Sequence, residues 1–287
     1  MFVRPFGYVR AGSVEEACAV LRERGGGAKV IAGGQSLVPM MNLGLVECEV
    51  VVDVSWIPGC ADVTEEDGSL LIGAMRRHRE LERDPAVGRL QPLLSAAARH
   101  VGNVRVRNRG TLGGSLAHSD PAAELPLAMT VLEARYEVSN GMTSRTVAAA
   151  DFPVTYFATQ LAEDELLTAV RVPKLAEGWG WGFQEVSRRP GDFAIVAAAA
   201  LVRWNAGVMQ EARLALAGVS DRAVRCTDVE MAVVGQRAED LDAAVGAIDG
   251  IEPVSDTSAS ADYRRRLSRV LAVRTLADAC RRAEEAA

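Results

Sequence analysis

Two short glycine-rich segments constrain this chain most, because each interrupts sequence that otherwise indicates regular secondary structure. The first, residues 32–36, follows a short β-branched strand pattern and precedes an apolar stretch that predicts a helix. The second, residues 110–115, carries another Gly-Gly pair beside hydroxyl side chains. Paired glycines leave backbone N–H groups unshielded and permit positive φ, and successive N–H groups form a concavity that binds anions. Together the segments predict a phosphate-binding site.

Neither segment fits the common nucleotide-binding fingerprints. The chain contains no G-x-G-x-x-G motif, so a Rossmann dinucleotide site is unsupported. It contains no G-x-x-x-x-G-K-[ST] motif either, which excludes a Walker P-loop at the level of the motif. One Gly-Gly pair is usually only a tight turn. Two pairs, each beside a hydroxyl, favour a binding role.

Polar residues follow the second segment closely. Asp120 precedes Pro121, a pattern that predicts a helix start, and Glu124 then falls in the first turn. Neither residue needs a ligand to explain it, since Asp120 could cap the helix and Glu124 could complement the helix dipole. Glu124 could also accept hydrogen bonds from a polyhydroxy chain. His118 is either a donor to a ligand or a loop histidine with a local partner, and we favour the latter.

The order of strand and helix patterns divides the chain. A strand–helix–strand pattern over residues 1–55, with a Ser13–Glu16 capping box, predicts a small α/β unit. Residues 56–175 add two hairpin signals among helices. After residue 175, three long strands precede three helices, which is typical of α+β folds. We therefore predict an α+β protein with an α/β N-terminal part. The domains are 1–175, with subdomains of about 1–55 and 56–175, and 176–287, an antiparallel sheet plus helices.

Charge and composition disfavour several classes of protein. The 287 residues carry a net charge of −6 without a basic block, and nucleic-acid binders need phosphate-neutralising charge. The run from Arg264 to Arg266 is better explained as a solvated helix face. No apolar run reaches the ~20 residues of a membrane span, and the N-terminus lacks a signal-peptide pattern, so we expect a cytoplasmic protein. The five cysteines are too dispersed for a disulfide framework, zinc site or iron–sulfur cluster, and no metal site is predicted.

Three stretches of sequence together resemble one known family. Residues 32–39 are A-G-G-Q-S-L-V-P, residues 107–126 are R-N-R-G-T-L-G-G-S-L-A-H-S-D-P-A-A-E-L-P, and residues 188–194 are R-R-P-G-D-F-A. This combination resembles the FAD-binding medium subunit of molybdenum hydroxylases, the carbon monoxide dehydrogenase and xanthine dehydrogenase type, over essentially the whole chain. The resemblance implies that FAD lies between the two N-terminal subdomains, with the C-terminal domain behind them.

Matching positions carry the family's cofactor contacts onto this chain. The resemblance implies that both glycine segments cradle the FAD pyrophosphate, that Glu124 contacts a ribose or ribityl group, and that residues 166, 192 and 193 lie near the isoalloxazine. The predicted cofactor-binding residues are Ile31, Ala32, Gly33, Gly34, Gln35, Ser36, Leu37, Thr111, Gly113, Gly114, Ser115, Glu124, Leu166, Asp192 and Phe193. No catalytic side chain is predicted, because the flavin carries the redox chemistry. Gln184 stands where the xanthine dehydrogenase branch has a lysine, which argues against direct use of NAD.

The resemblance also implies a division of labour within a complex. This chain would be an FAD-dependent oxidoreductase subunit that takes electrons from a small [2Fe-2S] subunit and passes them to an external acceptor. Molybdopterin would belong to a large subunit, and a dimer of heterotrimers is expected. The substrate is selected in another chain, so CO, a purine, another N-heterocycle and an aldehyde all stay open. A stand-alone flavoprotein oxidoreductase and a cofactor-free scaffold subunit are the alternatives. The intact glycine pairs argue against the scaffold.

Overall fold

A computed structural model describes residues 4–286, apart from the side chains of residues 247 and 249. The first unit comprises β1 (Gly7–Arg10), α1 (Val14–Arg24), β2 (Ala28–Ile31), α2 (Leu37–Asn42) and β3 (Val50–Asp53). β3 lies between β1 and β2 and pairs in parallel with both. Ser13 Oγ accepts a hydrogen bond from Glu16 N at 3.2 Å and so begins α1, as the capping signal predicts. β2 ends directly at the first glycine segment.

The second unit is an antiparallel five-stranded sheet with six helices. Its elements are β4 (Val63–Glu66), β5 (Ser69–Gly73), α3 (His78–Arg83), α4 (Pro85–Leu90), α5 (Pro92–His100), α6 (Val104–Arg107), α7 (Leu112–His118), α8 (Glu124–Val131), β6 (Arg135–Ser139), β7 (Ser144–Ala148), β8 (Pro153–Thr155), β9 (Ala158–Thr159) and β10 (Leu166–Pro173). The strand order is β4-β5-β10-β6-β7, and β8 and β9 form a separate hairpin.

The second Gly-Gly pair lies within the helix α7, whereas its glycines predict an interruption of regular secondary structure. The structure begins this helix at Leu112, with Thr111 as its N-cap. Thr111 Oγ1 accepts a hydrogen bond from Gly114 N at 3.1 Å. Glycine lowers intrinsic helix propensity, but packing and a cap can override that preference. Asp120, a candidate cap in the sequence, does not cap α8. It accepts from Ala122 N in a turn before the helix, whose N-cap is Ala123.

The third unit is an antiparallel sheet beside a long helix. Its elements are β11 (Trp179–Ser187), β12 (Ala194–Asn205), β13 (Val208–Ala217), β14 (Val224–Arg225), α9 (Thr227–Val233), α10 (Leu241–Ala244) and α11 (Ala261–Glu285). Along β12, Ala197, Ala199 and Leu201 pack into the core of the second unit. The alternate residues, including Val196 and Ala198, pack under α11. Both faces of β12 are therefore buried. The predicted α+β class, with an α/β N-terminal part, is confirmed.

Contacts of α11 correct one expectation about the basic run at its start. Arg264 is 5% exposed rather than solvated. Its guanidinium donates to the carbonyl oxygens of Ile195 and Gly218 and pairs with Asp256 at 2.5 Å. The arginine therefore ties the helix to the sheet, a role that the local charge pattern does not reveal. Within residues 4–286, no helix is long and apolar enough to cross a membrane.

Candidate functional site

The two glycine segments touch each other, although Gly33 and Gly110 are 77 positions apart in sequence. A methyl group at Gly33 would collide with the carbonyl oxygen of Arg109 and lie 2.7 Å from the Cα of Gly110. The backbone of the first segment therefore passes against the backbone that leads into the second. Only glycine permits this approach, since both neighbouring groups are main chain. The chain folds so that residues just after β2 and just before α7 form one junction.

The first segment offers a row of backbone donors. Across the described part of the chain, the N–H groups of residues 32–36 have no protein acceptor. Gly34 has φ of +71°, a conformation that favours glycine, and it turns the backbone between β2 and α2. Successive N–H groups around such a turn bind anions. This segment therefore has the free backbone donors that the predicted anion site requires.

The second segment uses its backbone differently from the expectation. Gly113 N donates to Ala74 O at 2.7 Å, and Gly114 N donates to Thr111 Oγ1, so these N–H groups already have acceptors. A methyl group at Gly113 would lie 2.5 Å from the Ala74 Cβ. The second Gly-Gly pair therefore permits close packing rather than presenting a row of free donors. The Ser115 side chain at the first turn of α7 lines the neighbouring cavity.

A cavity of about 710 Å³ lies at this junction, between the first and second units and the loop before β12. Most of the predicted cofactor-binding residues line it. They are Ala32, Gly33, Gly34, Gln35, Ser36, Leu37, Thr111, Gly113, Gly114, Ser115, Glu124, Leu166 and Phe193. Ligand sites of this size are typically apolar with a few placed polar groups, and this lining follows that pattern. Sequence positions from 14 to 193 thus meet around one space.

Two of the predicted residues are not among the lining residues, although both directly adjoin them in sequence. Ile31 is outside the cavity lining, and the Asp192 carboxylate is paired with Arg189 at 3.1 Å. Phe193, in contrast, lines the cavity and is 58% exposed, which rules out a core role for it. Leu166 also lines the cavity, and it is buried. Gln184 Nε2 donates to Asp278 of α11 at 2.7 Å, so its amide faces that helix.

Carboxyl groups outnumber cationic side chains along the cavity wall. Glu124 is 3% exposed, and burial raises its pKa to about 8, with contributions from Glu185 and Asp120. Glu124 is therefore mostly protonated at pH 7 and adds little negative charge. Glu165 forms a bidentate pair with Arg145, with both distances 2.7 Å. Lys29 is the cationic lysine in this lining, so an anion here would be held by backbone and hydroxyl donors together with that side chain.

Two histidines and an aromatic side chain complete the wall. His78, which no local sequence signal indicates, is 4% exposed beside Gly110, and burial lowers its pKa to about 4. It is neutral at physiological pH. His118, at the end of α7, stacks on Phe157 with ring centroids 5.1 Å apart. All three residues line the cavity. Among the described residues, no group of three or more His, Cys, Asp or Glu is placed to hold a metal ion.

These features fit a dinucleotide with a central pyrophosphate. The unpaired N–H row supplies donors for phosphate oxygens, and the glycine junction holds the two segments together beside the cavity. Residues 4–175 match the family described as "FAD binding domain in molybdopterin dehydrogenase". Residues 181–279 match "CO dehydrogenase flavoprotein C-terminal domain". The chain belongs to the FAD-binding medium subunits of molybdenum hydroxylases.

Individual members of this flavoprotein family are similar over nearly the full chain. The 6-hydroxypseudooxynicotine dehydrogenase complex subunit alpha of Paenarthrobacter nicotinovorans is 38% identical, with 97% of this chain and 95% of the relative covered. The carbon monoxide dehydrogenase medium chain of Hydrogenophaga pseudoflava is 34% identical, with 94% and 96% covered. The solved structure of carbon monoxide dehydrogenase from Hydrogenophaga pseudoflava superposes with a TM-score of 0.95 at 35% identity, covering 98% of this chain and 99% of that one.

Family membership confirms the predicted FAD cofactor and the oxidoreductase class. It also confirms the resemblance from which both were inferred. The residues that contact FAD stay a prediction, supported by their placement around the cavity. The sequence signals that located them are the two glycine segments and their flanking hydroxyls. Residues 78 and 157 carried no such signal, because their positions depend on how α3 and the β8–β9 hairpin pack.

Proposed function

We propose that this chain is the electron-transfer flavoprotein of a three-subunit molybdenum hydroxylase. It takes electrons from a small [2Fe-2S] subunit and passes them to an external acceptor, while a large molybdopterin subunit acts on the substrate. The observation that carries the proposal is the glycine junction, with its unpaired N–H row at the rim of a cavity of about 710 Å³. A dimer of heterotrimers, a domain boundary after residue 175 and a cytoplasmic location are parts of the same proposal.

The chain's own residues would bind and orient the cofactor. N–H groups of residues 32–36 would hold the pyrophosphate, with Ser36 and Ser115 as hydroxyl donors. A protonated Glu124 can both donate to and accept from the sugar or ribityl hydroxyls. Leu166 and Phe193 would border the isoalloxazine and keep water from it. Bound FAD supplies a two-electron carrier between one-electron donors and the acceptor.

Relatives support the assembly without identifying the substrate. The names "complex subunit alpha" and "medium chain" describe those proteins as parts of larger complexes. Their named substrates range from a nicotine derivative to carbon monoxide. Because homologous chains belong to complexes with such different named substrates, we infer that another subunit selects the substrate. This agrees with a cavity whose features fit a cofactor rather than a variable substrate.

The test is to affinity-purify the tagged full chain from its own host. FAD is quantified by absorbance and mass, and iron and molybdenum by elemental analysis. We expect stoichiometric FAD, iron and molybdenum, together with one small and one large co-purifying subunit. Reduction of the complex by dithionite, followed by mixing with quinone, oxygen or NAD, then identifies the acceptor by reoxidation of the flavin absorbance.

The alternatives predict other results. A stand-alone flavoprotein would yield FAD without iron or molybdenum. A scaffold subunit would co-purify with metal-containing partners but hold no FAD, even after added FAD is titrated with a fluorescence readout. Either result would refute the proposal.

A further inference from the structure

The β8–β9 hairpin places an aromatic ring at the cavity in an unusual backbone conformation. Phe157 lies in the turn between the two short strands, with φ of +55°. Residues other than glycine rarely adopt this left-handed conformation, Asn, Asp and His being the commonest exceptions, and bulky side chains are the least suited to it. Such outliers concentrate at ligand-binding sites, where the surrounding structure maintains them. Phe157 is also 57% exposed while lining the cavity.

The hairpin does not need the Phe157 ring for its own packing. Phe152, at the base of the hairpin, is 1% exposed and packs edge-on against Tyr136 with ring centroids 4.9 Å apart. Gln160 closes the base, with its N donating to Phe152 O and its side chain to Asp151 O. These contacts anchor the hairpin in the second unit. The ring of Phe157 is therefore available to contact a ligand.

A neighbouring ring supports Phe157 from one side. His118 lies against it at 5.1 Å between centroids, with the ring planes tilted by 38°. His118 ends α7, whose first turn contains the second Gly-Gly pair. The helix rises roughly 10 Å over its seven residues, so the backbone of His118 lies about that far along the helix axis from the glycine junction. That separation suits a dinucleotide, in which a sugar or ribityl chain stands between the phosphates and each planar ring.

We propose that Phe157, backed by His118, stacks on one planar ring of bound FAD. This inference rests on the proposed function, because it takes the cavity to be the FAD site. The chemistry shared by the isoalloxazine and the adenine is a flat aromatic face, which prefers offset or edge-on contact with another ring. Phe157 is thus a binding residue in addition to those implied by the glycine segments.

The experiment compares four variants of the full chain after removal of bound flavin. Phe157→Ala removes the ring, and Phe157→Leu retains apolar bulk without an aromatic face. Phe157→Tyr retains the ring. Tyr156→Ala is the matched control, because Tyr156 is the adjacent turn residue, is 49% exposed and lies outside the cavity lining. Dissociation constants are measured for FAD and FMN by flavin fluorescence and for ADP by calorimetry.

The proposal predicts that Phe157→Ala and Phe157→Leu weaken FAD binding by roughly three- to tenfold. The same loss should appear for FMN or for ADP but not both, and the affected half-molecule identifies the stacked ring. Phe157→Tyr and Tyr156→Ala should bind like the wild type. Unchanged FAD affinity in Phe157→Leu, or equal loss for FMN and ADP, would overturn the inference. A wild-type chain that binds none of the three probes would instead refute the FAD site itself.

Discussion

Gly33→Ala tests whether contact between the two glycine segments builds the cofactor site. The added methyl group would collide with the Arg109 carbonyl oxygen and lie 2.7 Å from the Gly110 Cα. Non-bonded carbon atoms pack best at about 3.5–4.0 Å, so the two backbones must separate by about 1 Å. No side-chain rotation relieves this clash, since both neighbours are main-chain groups.

That separation should lower both the free energy of unfolding and the affinity for FAD. Overpacking of this kind costs about 1–3 kcal/mol in the free energy of unfolding. Misplacing one N–H donor to a charged phosphate oxygen costs about 1.5–3 kcal/mol of binding. That loss corresponds to a dissociation constant for FAD raised roughly ten- to a hundredfold. We therefore expect a moderate loss of stability and a large loss of FAD affinity.

The assay is a fluorescence titration of the apo chain with FAD, paired with urea unfolding. Gly88→Ala is the matched control, because Gly88 lies in α4 and no atom lies within 4 Å of the position that an added Cβ would take. Alanine there should leave FAD affinity unchanged and stabilise the helix slightly. Wild-type FAD affinity in Gly33→Ala, with normal unfolding, would show that the junction does not shape the site.

Two further substitutions test buried groups in different units. The pKa of Glu124 is raised from 4.5 to about 8, so the folded state keeps a proton that the unfolded state loses, and stability falls as pH rises between these values. Glu124→Gln should remove this pH dependence of the unfolding free energy and be more stable than the wild type at pH 8 by at most about 5 kcal/mol. The measurement is urea unfolding of both proteins from pH 4.5 to 8. The same pH dependence in both would mean that Glu124 is ionised in the fold. In Gly182→Ala, a methyl group on β11 would collide with the Thr275 carbonyl oxygen of α11. A loss of about 1–3 kcal/mol in unfolding free energy is expected with unchanged FAD affinity, and an undisturbed unfolding curve would contradict the close packing.

Much of the local structure is readable from the sequence because its causes are local. Ser13 and Glu16 begin α1, as their spacing predicts. One of the two hairpin signals in residues 56–175 is Asn140-Gly141, and it lies between β6 and β7. In each case the deciding interaction joins residues within a few positions, so it needs no knowledge of the rest of the fold. The glycine segments predict the cofactor site for a related reason, since glycine is required where backbones approach closely.

Other features depend on which distant segments meet. Arg264 is buried because the carbonyl oxygens of Ile195 and Gly218 come together beneath α11. The N–H group of Gly113 finds its acceptor only once the distant carbonyl oxygen of Ala74 is in place. A periodicity or motif describes one segment at a time, so it cannot show that a donor has been satisfied from elsewhere.

The sequence by itself therefore determined the α+β class and the family, and it predicts the general place of the cofactor, through glycines, caps and strand patterns. Tertiary structure decided which glycine segment presents free donors and which one only packs. It also decided that Phe157 from the β8–β9 hairpin reaches the cavity wall. The physical reason is that burial, hydrogen-bond satisfaction and ring contacts are properties of pairs of segments, and those pairs exist only in the folded chain.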